Sequence, residues 1–179
     1  MKFKFGVDTF IWAENYGEEH LWIIPKAKEL GFEVIDFAIS NPYTFPTEKV
    51  KKELERVGIG CVCTTTLTKE TNPISPDPKI RKAAVDAVKK CIDICNELGA
   101  PILGGVNYAG WGYLTKKPRT EEEWKYGVDC MRESAEYAKK TGNVNICVEC
   151  VNRFETHFLN IAEDAVKFCK DVGVDNMKV

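Results

Sequence analysis

The sequence predicts an α/β fold of parallel strands with helices packed outside them, closed as a (β/α)8 barrel, on three observations. Short apolar runs alternate with amphipathic helical patterns five times along the chain, a repetition that calls for parallel strands and right-handed crossovers. No G-x-G-x-x-G follows the first strand and no G-x-x-x-x-G-K-S/T occurs anywhere, so the phosphate-cradling loops of the open nucleotide-binding sheets are missing. Polar or aromatic residues stand instead after several strands: Trp12, residues 64–66, Tyr108 with Trp111, and Glu149 with Glu155. That is the distribution the mouth of a barrel needs.

In order along the chain, residues 5–12 read as a first strand. A helix follows over 18–30, ended by Gly31, and residues 32–39 form the second strand. Thr47 is expected to cap a helix to Val57, Gly58 closes it, and residues 59–64 make strand three. A polar loop over 65–77, containing Asn72-Pro73 and Ser75-Pro76-Asp77-Pro78, is long enough to expect a function. Apolar positions Ala84, Val88, Ile92 and Cys95 place a helix over 79–98, which feeds strand four at 101–106. Gly104-Gly105 is too short a motif to count, and the glycine and aromatic run 107–113 then reads as a loop. Thr120-Glu121-Glu122-Glu123 has the form of a capping box opening a helix to about Lys140. Strand five covers 144–149, helix five 162–172, and 176–179 begin a sixth strand. Residues 1–179 thus read as a single, incomplete barrel domain of five βα units and the start of a sixth strand.

The clearest candidate for chemistry is Glu149-Cys150-Val151-Asn152-Arg153-Phe154-Glu155, directly after the apolar run of strand five. Period-two alternation puts Cys147 and Glu149 on one strand face and Ile146 and Val148 on the other. A carboxylate at that place needs a compensating charge, from a metal ion, a positioned substrate, or simply Arg153 in an ion pair that ends the strand.

Composition narrows the partners. With 44% hydrophobic residues the chain can bury a core, and a net charge of −2 with mixed signs gives no basic field for nucleic acid or anionic membrane. Small neutral or weakly charged ligands are expected. No run approaches a membrane helix, and Met1-Lys2-Phe3-Lys4-Phe5-Gly6 lacks the features of a signal peptide, so a cytoplasmic protein is expected. The eight cysteines then read as small buried hydrophobes in a reducing compartment. Cys147-x-x-Cys150 lies at a strand end with its thiols on opposite sides, unlike redox or zinc motifs. Only His20 and His157 are available, which disfavours a histidine-rich zinc site.

The segment from Glu149 to Asn160, reading E-C-V-N-R-F-E-T-H-F-L-N, resembles the fifth-strand signature of the ketose 3-epimerases, the D-tagatose/D-psicose 3-epimerase family of the sugar isomerase and epimerase TIM barrels. Supporting likenesses are Gly6-Val7-Asp8-Thr9-Phe10-Ile11-Trp12, Leu30-Gly31-Phe32-Glu33-Val34-Ile35, Ile74-Ser75-Pro76-Asp77-Pro78-Lys79-Ile80-Arg81, and Gly104-Gly105 with Trp111. The resemblance implies movement of a proton at C3 of a ketohexose through a cis-enediolate, with a divalent metal, Mn²⁺, Co²⁺ or Mg²⁺. It implies that Glu149 is the first metal ligand and one of two acid/base carboxylates, and that Glu155 hydrogen-bonds the sugar hydroxyls. Trp111 would be the aromatic wall of the pocket, with Val106 and Asp8 lining it; Asn152 and Arg153 read as supports that orient the loop, and His157 as a loop or helix-entry residue rather than a ligand. Asp8 departs from the aromatic residue of the tagatose and psicose enzymes. The resemblance also implies a homo-oligomer, and it covers about two-thirds of the family's length, so the other ligands, an Asp, a His and a second Glu, are expected beyond Val179 in a truncated chain. The alternatives are a related isomerase or dehydratase of hydroxypyruvate isomerase or inosose dehydratase type, or an inactive fragment that self-associates. The endonuclease IV type is disfavoured by the lack of basic charge and of histidines.

Overall fold

The computed structural model describes residues 3–179; Met1 and Lys2, part of the stretch that lacks the features of a signal peptide, lie outside the described residues. Six parallel strands, β1 (Gly6–Asp8), β2 (Val34–Ile39), β3 (Gly60–Leu67), β4 (Ile102–Gly110), β5 (Asn145–Cys147) and β6 (Met177–Lys178), lie side by side in chain order. The helices between them are α1 (Ile23–Glu29), α2 (Thr47–Val57), α3 (Pro78–Leu98), α4 (Glu121–Thr141) and α5 (Ala162–Val172). Sequential parallel neighbours with a helix after each of the first five strands are the first βα units of a barrel. Among the described residues no helix is long and apolar enough to cross a membrane.

The sheet has one sealed face and one open one. Ile35, Phe37 and Ile39 of β2, Cys61 and Cys63 of β3, Leu103 of β4 and Ile146 of β5 are buried in the core with the apolar faces of the helices. Their alternates, Asp36 and Ala38, Val62 and Thr64, and Asn145 and Cys147, are half-buried on the other face. Period-two alternation therefore sorts the strands as expected. The cysteines follow it: all eight are free thiols, five buried, with Cys147, Cys150 and Cys169 half-buried.

Several boundaries differ from the sequence reading for identifiable reasons. Strand one stops at Asp8, because its carboxylate accepts from Phe10 N–H at 2.7 Å and turns residues Thr9–Ile11 into a 3-10 turn. The first helix is split, a 3-10 turn at Glu18–His20 preceding α1. Thr47 does not cap α2: the cap position is Pro46, and the Thr47 hydroxyl donates back to the Phe45 carbonyl. Strands β3 and β4 run on to Leu67 and Gly110, so the two predicted loops are shorter.

The extension of β4 depends on Gly105. Its φ is +99°, and a Cβ there would lie 2.4 Å from the Thr65 carbonyl oxygen, so only glycine allows the strands to approach this closely. The register then jumps, pairing Leu67 with Gly110 directly after Thr66 with Val106. Gly60 is the natural control, since a Cβ added there would come no closer than 3.6 Å to its nearest neighbour, the Glu33 carbonyl oxygen. Gly105→Ala is expected to lower stability in urea unfolding by about 2–3 kcal/mol, while Gly60→Ala stays within about 0.5 kcal/mol of the parent.

Candidate active site

The open face carries the acidic residues at the carboxyl ends of the strands. Asp8 of β1 stands directly opposite Asp36 of β2 in the parallel register, which puts both on one face. Ala38, two residues beyond Asp36, aligns with Thr64, and Thr64 with Gly104. Asn145 aligns with Ile102, so Cys147 and Glu149 continue along the same face. The exit of β5 remains paired past its last strand residue: Val148 N–H donates to Lys178 O at 2.9 Å and Glu149 N–H to Gly105 O at 3.2 Å.

Tyr108 fixes that exit from below. Fully buried, its hydroxyl donates to the Glu149 carbonyl at 2.8 Å, with the Leu159 carbonyl at 3.4 Å. Burial, and then the nearby Cys150, Glu149 and Glu155, push its ionisation well above the usual phenol range, so it remains a donor. The Tyr108 ring stacks on Phe158 with centroids 6.0 Å apart, and Phe158 meets Phe168 and Trp124 at 5.7 and 5.6 Å. The segment after β5 is thereby pinned to β4, α4 and α5. Glu149 itself is exposed, and its carboxylate has no hydrogen-bond partner among the described residues. Arg153 forms no ion pair with either glutamate among those residues, which removes the simple strand-ending pair as the explanation of the segment.

Glu155 is held by other groups. Trp111 Nε1–H donates to its Oε2 at 3.1 Å and Asn152 Nδ2 to its Oε1 at 2.5 Å, while Gly112 N–H donates to its carbonyl at 2.7 Å. Trp111 is held in turn by its N–H to Leu67 O at 2.7 Å, and its side chain is 53% exposed, so the ring presents a face to solvent. Trp111 and Glu155 thus form one preassembled unit. Val106 pairs with Thr66 in the parallel register and is only 3% exposed, so it offers little surface to a ligand in this structure. Asp8 is half-buried, with one oxygen committed to the turn at Phe10.

Asp36 is the acidic residue of this face that sequence reasoning passed over. A charge inside Val34-Ile35-Asp36-Phe37-Ala38-Ile39 is the same kind of signal that singled out Glu149. Its Oδ1 is buried without a protein partner. Burial first and then the Asp8 carboxylate push it up to about 6, with the Thr64 hydroxyl pulling the other way and Glu149 adding a smaller push. A face that carries the unpartnered Glu149 side chain together with a readily protonated Asp36 has the groups for proton transfer.

A divalent ion does not fit the described residues alone: no group of three or more His, Cys, Asp or Glu among them is placed to hold one. Glu149, with both oxygens uncommitted, is one donor in search of others.

The raised Asp36 carboxyl makes stability pH-dependent. A group whose folded value lies above its unfolded one, about 3.9, contributes fully only below the latter and loses that contribution as pH rises through about 6. Asp36→Asn is therefore expected to be more stable than the parent by about 1–3 kcal/mol near pH 8 and to lose the advantage near pH 4, as read by chemical unfolding at both values.

Comparison with known proteins bears on the fold and family. The chain is 32% identical to the D-psicose 3-epimerase of Ruminiclostridium cellulolyticum strain H10 over 98% of its own length and 61% of that protein's. It is 26% identical to the L-ribulose 3-epimerase of Mesorhizobium japonicum, covering 97% of this chain and 58% of that protein. The chain therefore spans about 60% of the length of the curated relatives it matches. Among solved structures it superimposes on a D-allulose 3-epimerase from Methylomonas sp. with a TM-score of 0.92 at 26% identity, over 97% of this chain and 60% of that one. The model of the xylose isomerase-like TIM barrels matches residues 24–179, and the chain belongs to that family.

Proposed function

We propose that the whole barrel to which this chain contributes is a ketose 3-epimerase, and that Glu149 is one of its acid/base groups. The observation that carries the reading is the placement of an unpartnered carboxylate, Glu149, on the open face at the end of β5, with the Trp111–Glu155 unit on the adjoining loops. The epimerase relatives named above support the same class of substrate.

The chemistry follows from what these groups can do. The C3 proton of a ketose is acidified by the adjacent carbonyl, and a carboxylate within reach removes it to give an enediolate. Returning a proton to the opposite face inverts C3, so a second acid on the other side is required. Glu155 is poorly suited to be that group, since both of its oxygens are occupied by Trp111 and Asn152. It is suited to accept a hydroxyl proton and hold the sugar, while the Trp111 ring covers one face and keeps water away from the carbanion. Asp36 offers a further hydroxyl contact while protonated.

Metal dependence, with Mn²⁺ or Co²⁺, is proposed for the whole barrel only; such an ion would supply charge stabilisation for the enediolate. The described residues provide no group of three ligands for it. Assembly as a homo-oligomer and a cytoplasmic location belong to the same proposal.

Two outcomes test it. In the full-length protein, Glu149→Gln should reduce exchange of the C3 proton of D-fructose or D-psicose with D₂O, followed by NMR, by about 10²–10⁴-fold; retained exchange would remove Glu149 from the chemistry. Calorimetric titration of the 179-residue chain with Mn²⁺ should show no binding tighter than about millimolar, as a lone carboxylate gives.

A further inference from the structure

His157 lies between two oxygen atoms that can only accept. Its Nδ1 is 3.1 Å from the Tyr113 carbonyl oxygen and its Nε2 is 3.2 Å from Oε1 of Glu123, with the side chain only 10% exposed. A carbonyl and a carboxylate have no proton to give. Both contacts are hydrogen bonds together only when both ring nitrogens carry protons. A neutral ring, in either tautomer, keeps one bond and sets a lone pair against an oxygen at the other.

The two acceptors belong to different parts of the site. Tyr113 follows the Trp111-Gly112 turn, whose Gly112 N–H binds the Glu155 carbonyl. Glu123 stands on the first turn of α4, where its other oxygen accepts from Thr120 N–H at 2.7 Å. His157 is two residues beyond Glu155, so its ring joins the loop after β4, the start of α4 and the segment after β5.

The other polar groups around the ring are engaged elsewhere. From the segment before α4, Arg119 is held by Asp164 of α5 at 2.7 and 3.0 Å and by the Phe158 carbonyl at 2.9 Å. On the histidine's own segment, the Glu155 carboxylate is occupied by Trp111 and Asn152. From the loop after β4, Tyr113 presents its ring with the centroid 6.0 Å away. Glu123 is thus the carboxylate that meets the imidazole among the described residues.

We infer that His157 is a positioning residue whose protonation sets how firmly the Trp111–Glu155 unit is held: the doubly protonated ring ties both loops to α4, and loss of one proton releases one of the ties. The functional weight of this inference rests on the reading above, that Trp111 and Glu155 contact the sugar. The linkage itself does not.

NMR of the chain labelled with ¹⁵N at histidine and tryptophan tests it, with His157 distinguished from His20 by His20→Gln and the Trp111 indole identified by Trp111→Phe. At the acidic end His157 should show two ring N–H signals. Raising the pH should remove one of them, and the Trp111 indole N–H should shift with the same midpoint and exchange with water about three- to tenfold faster, the worth of one hydrogen bond. In His157→Gln, whose amide still donates but does not titrate, the Trp111 signal should be indifferent to pH over that range. A Trp111 signal that ignores the His157 titration in the parent, or follows the same curve in His157→Gln, overturns the inference. Both signals are read without sugar, so failure of the epimerase reading leaves the linkage standing. A linkage seen by NMR with KM of the full-length enzyme unchanged by His157→Gln would instead remove Trp111 and Glu155 from substrate contact.

Discussion

The hydrogen bond from the buried Tyr108 hydroxyl to the Glu149 carbonyl, 2.8 Å long, joins the two halves of the candidate site. Tyr108 belongs to β4, whose passage close to β3 is permitted by Gly105. Glu149 belongs to the exit of β5, and the same hydroxyl reaches toward Leu159, ten residues further along. The chain between those two carbonyls is the segment that carries Asn152, Glu155 and His157. Breaking this bond inside the core would weaken the satisfaction of a buried donor and leave the exit of β5 held only by its backbone pairs to Lys178 and Gly105. The aromatic stack of Tyr108, Phe158, Phe168 and Trp124 fills the space beneath, so the segment is held from its core side while the Glu149 carboxylate stays free on the other.

The open face shows the opposite economy. Parallel register brings Asp8, Asp36 and Glu149 onto one side of the sheet, where burial first and then the neighbouring carboxylates raise the cost of ionising Asp36. Asp36 answers with a raised proton affinity, while the Glu149 carboxylate has no hydrogen-bond partner among the described residues. Such local conflict with stability is characteristic of functional sites rather than of structural ones. A chain optimised for stability alone would place an apolar residue at position 36, as it does at Ile35 and Phe37.

Much of this was legible in the amino-acid order. The five alternations of strand and helix, the capping box at Thr120 and the bounds of α5 follow from periodicity and caps, and the structure carries all of them. The misplacements are local. Asp8 bends the chain through a side-chain bond that no hydrophobic pattern reports, Pro46 displaces Thr47 from the cap, and a glycine at positive φ prolongs β4 where aromatic and glycine content suggests a loop. In the site, the strand-end carboxylate was visible as a charge out of pattern. The partners of Glu155 were not, since Trp111 and Glu155 are 44 residues apart and only the folded sheet juxtaposes them. Asp36 and the bridging role of His157 needed the register and the acceptor geometry for the same reason.

The most direct test of the central claim is a crystal structure of the full-length protein with a bound ketose. The sugar is expected at the carboxyl ends of the strands, with C3 facing the Glu149 carboxylate, a hydroxyl hydrogen-bonded to Glu155, and the Trp111 ring against the carbon skeleton. A sugar bound elsewhere, or bound there with Glu149 turned away from C3, would contradict that claim.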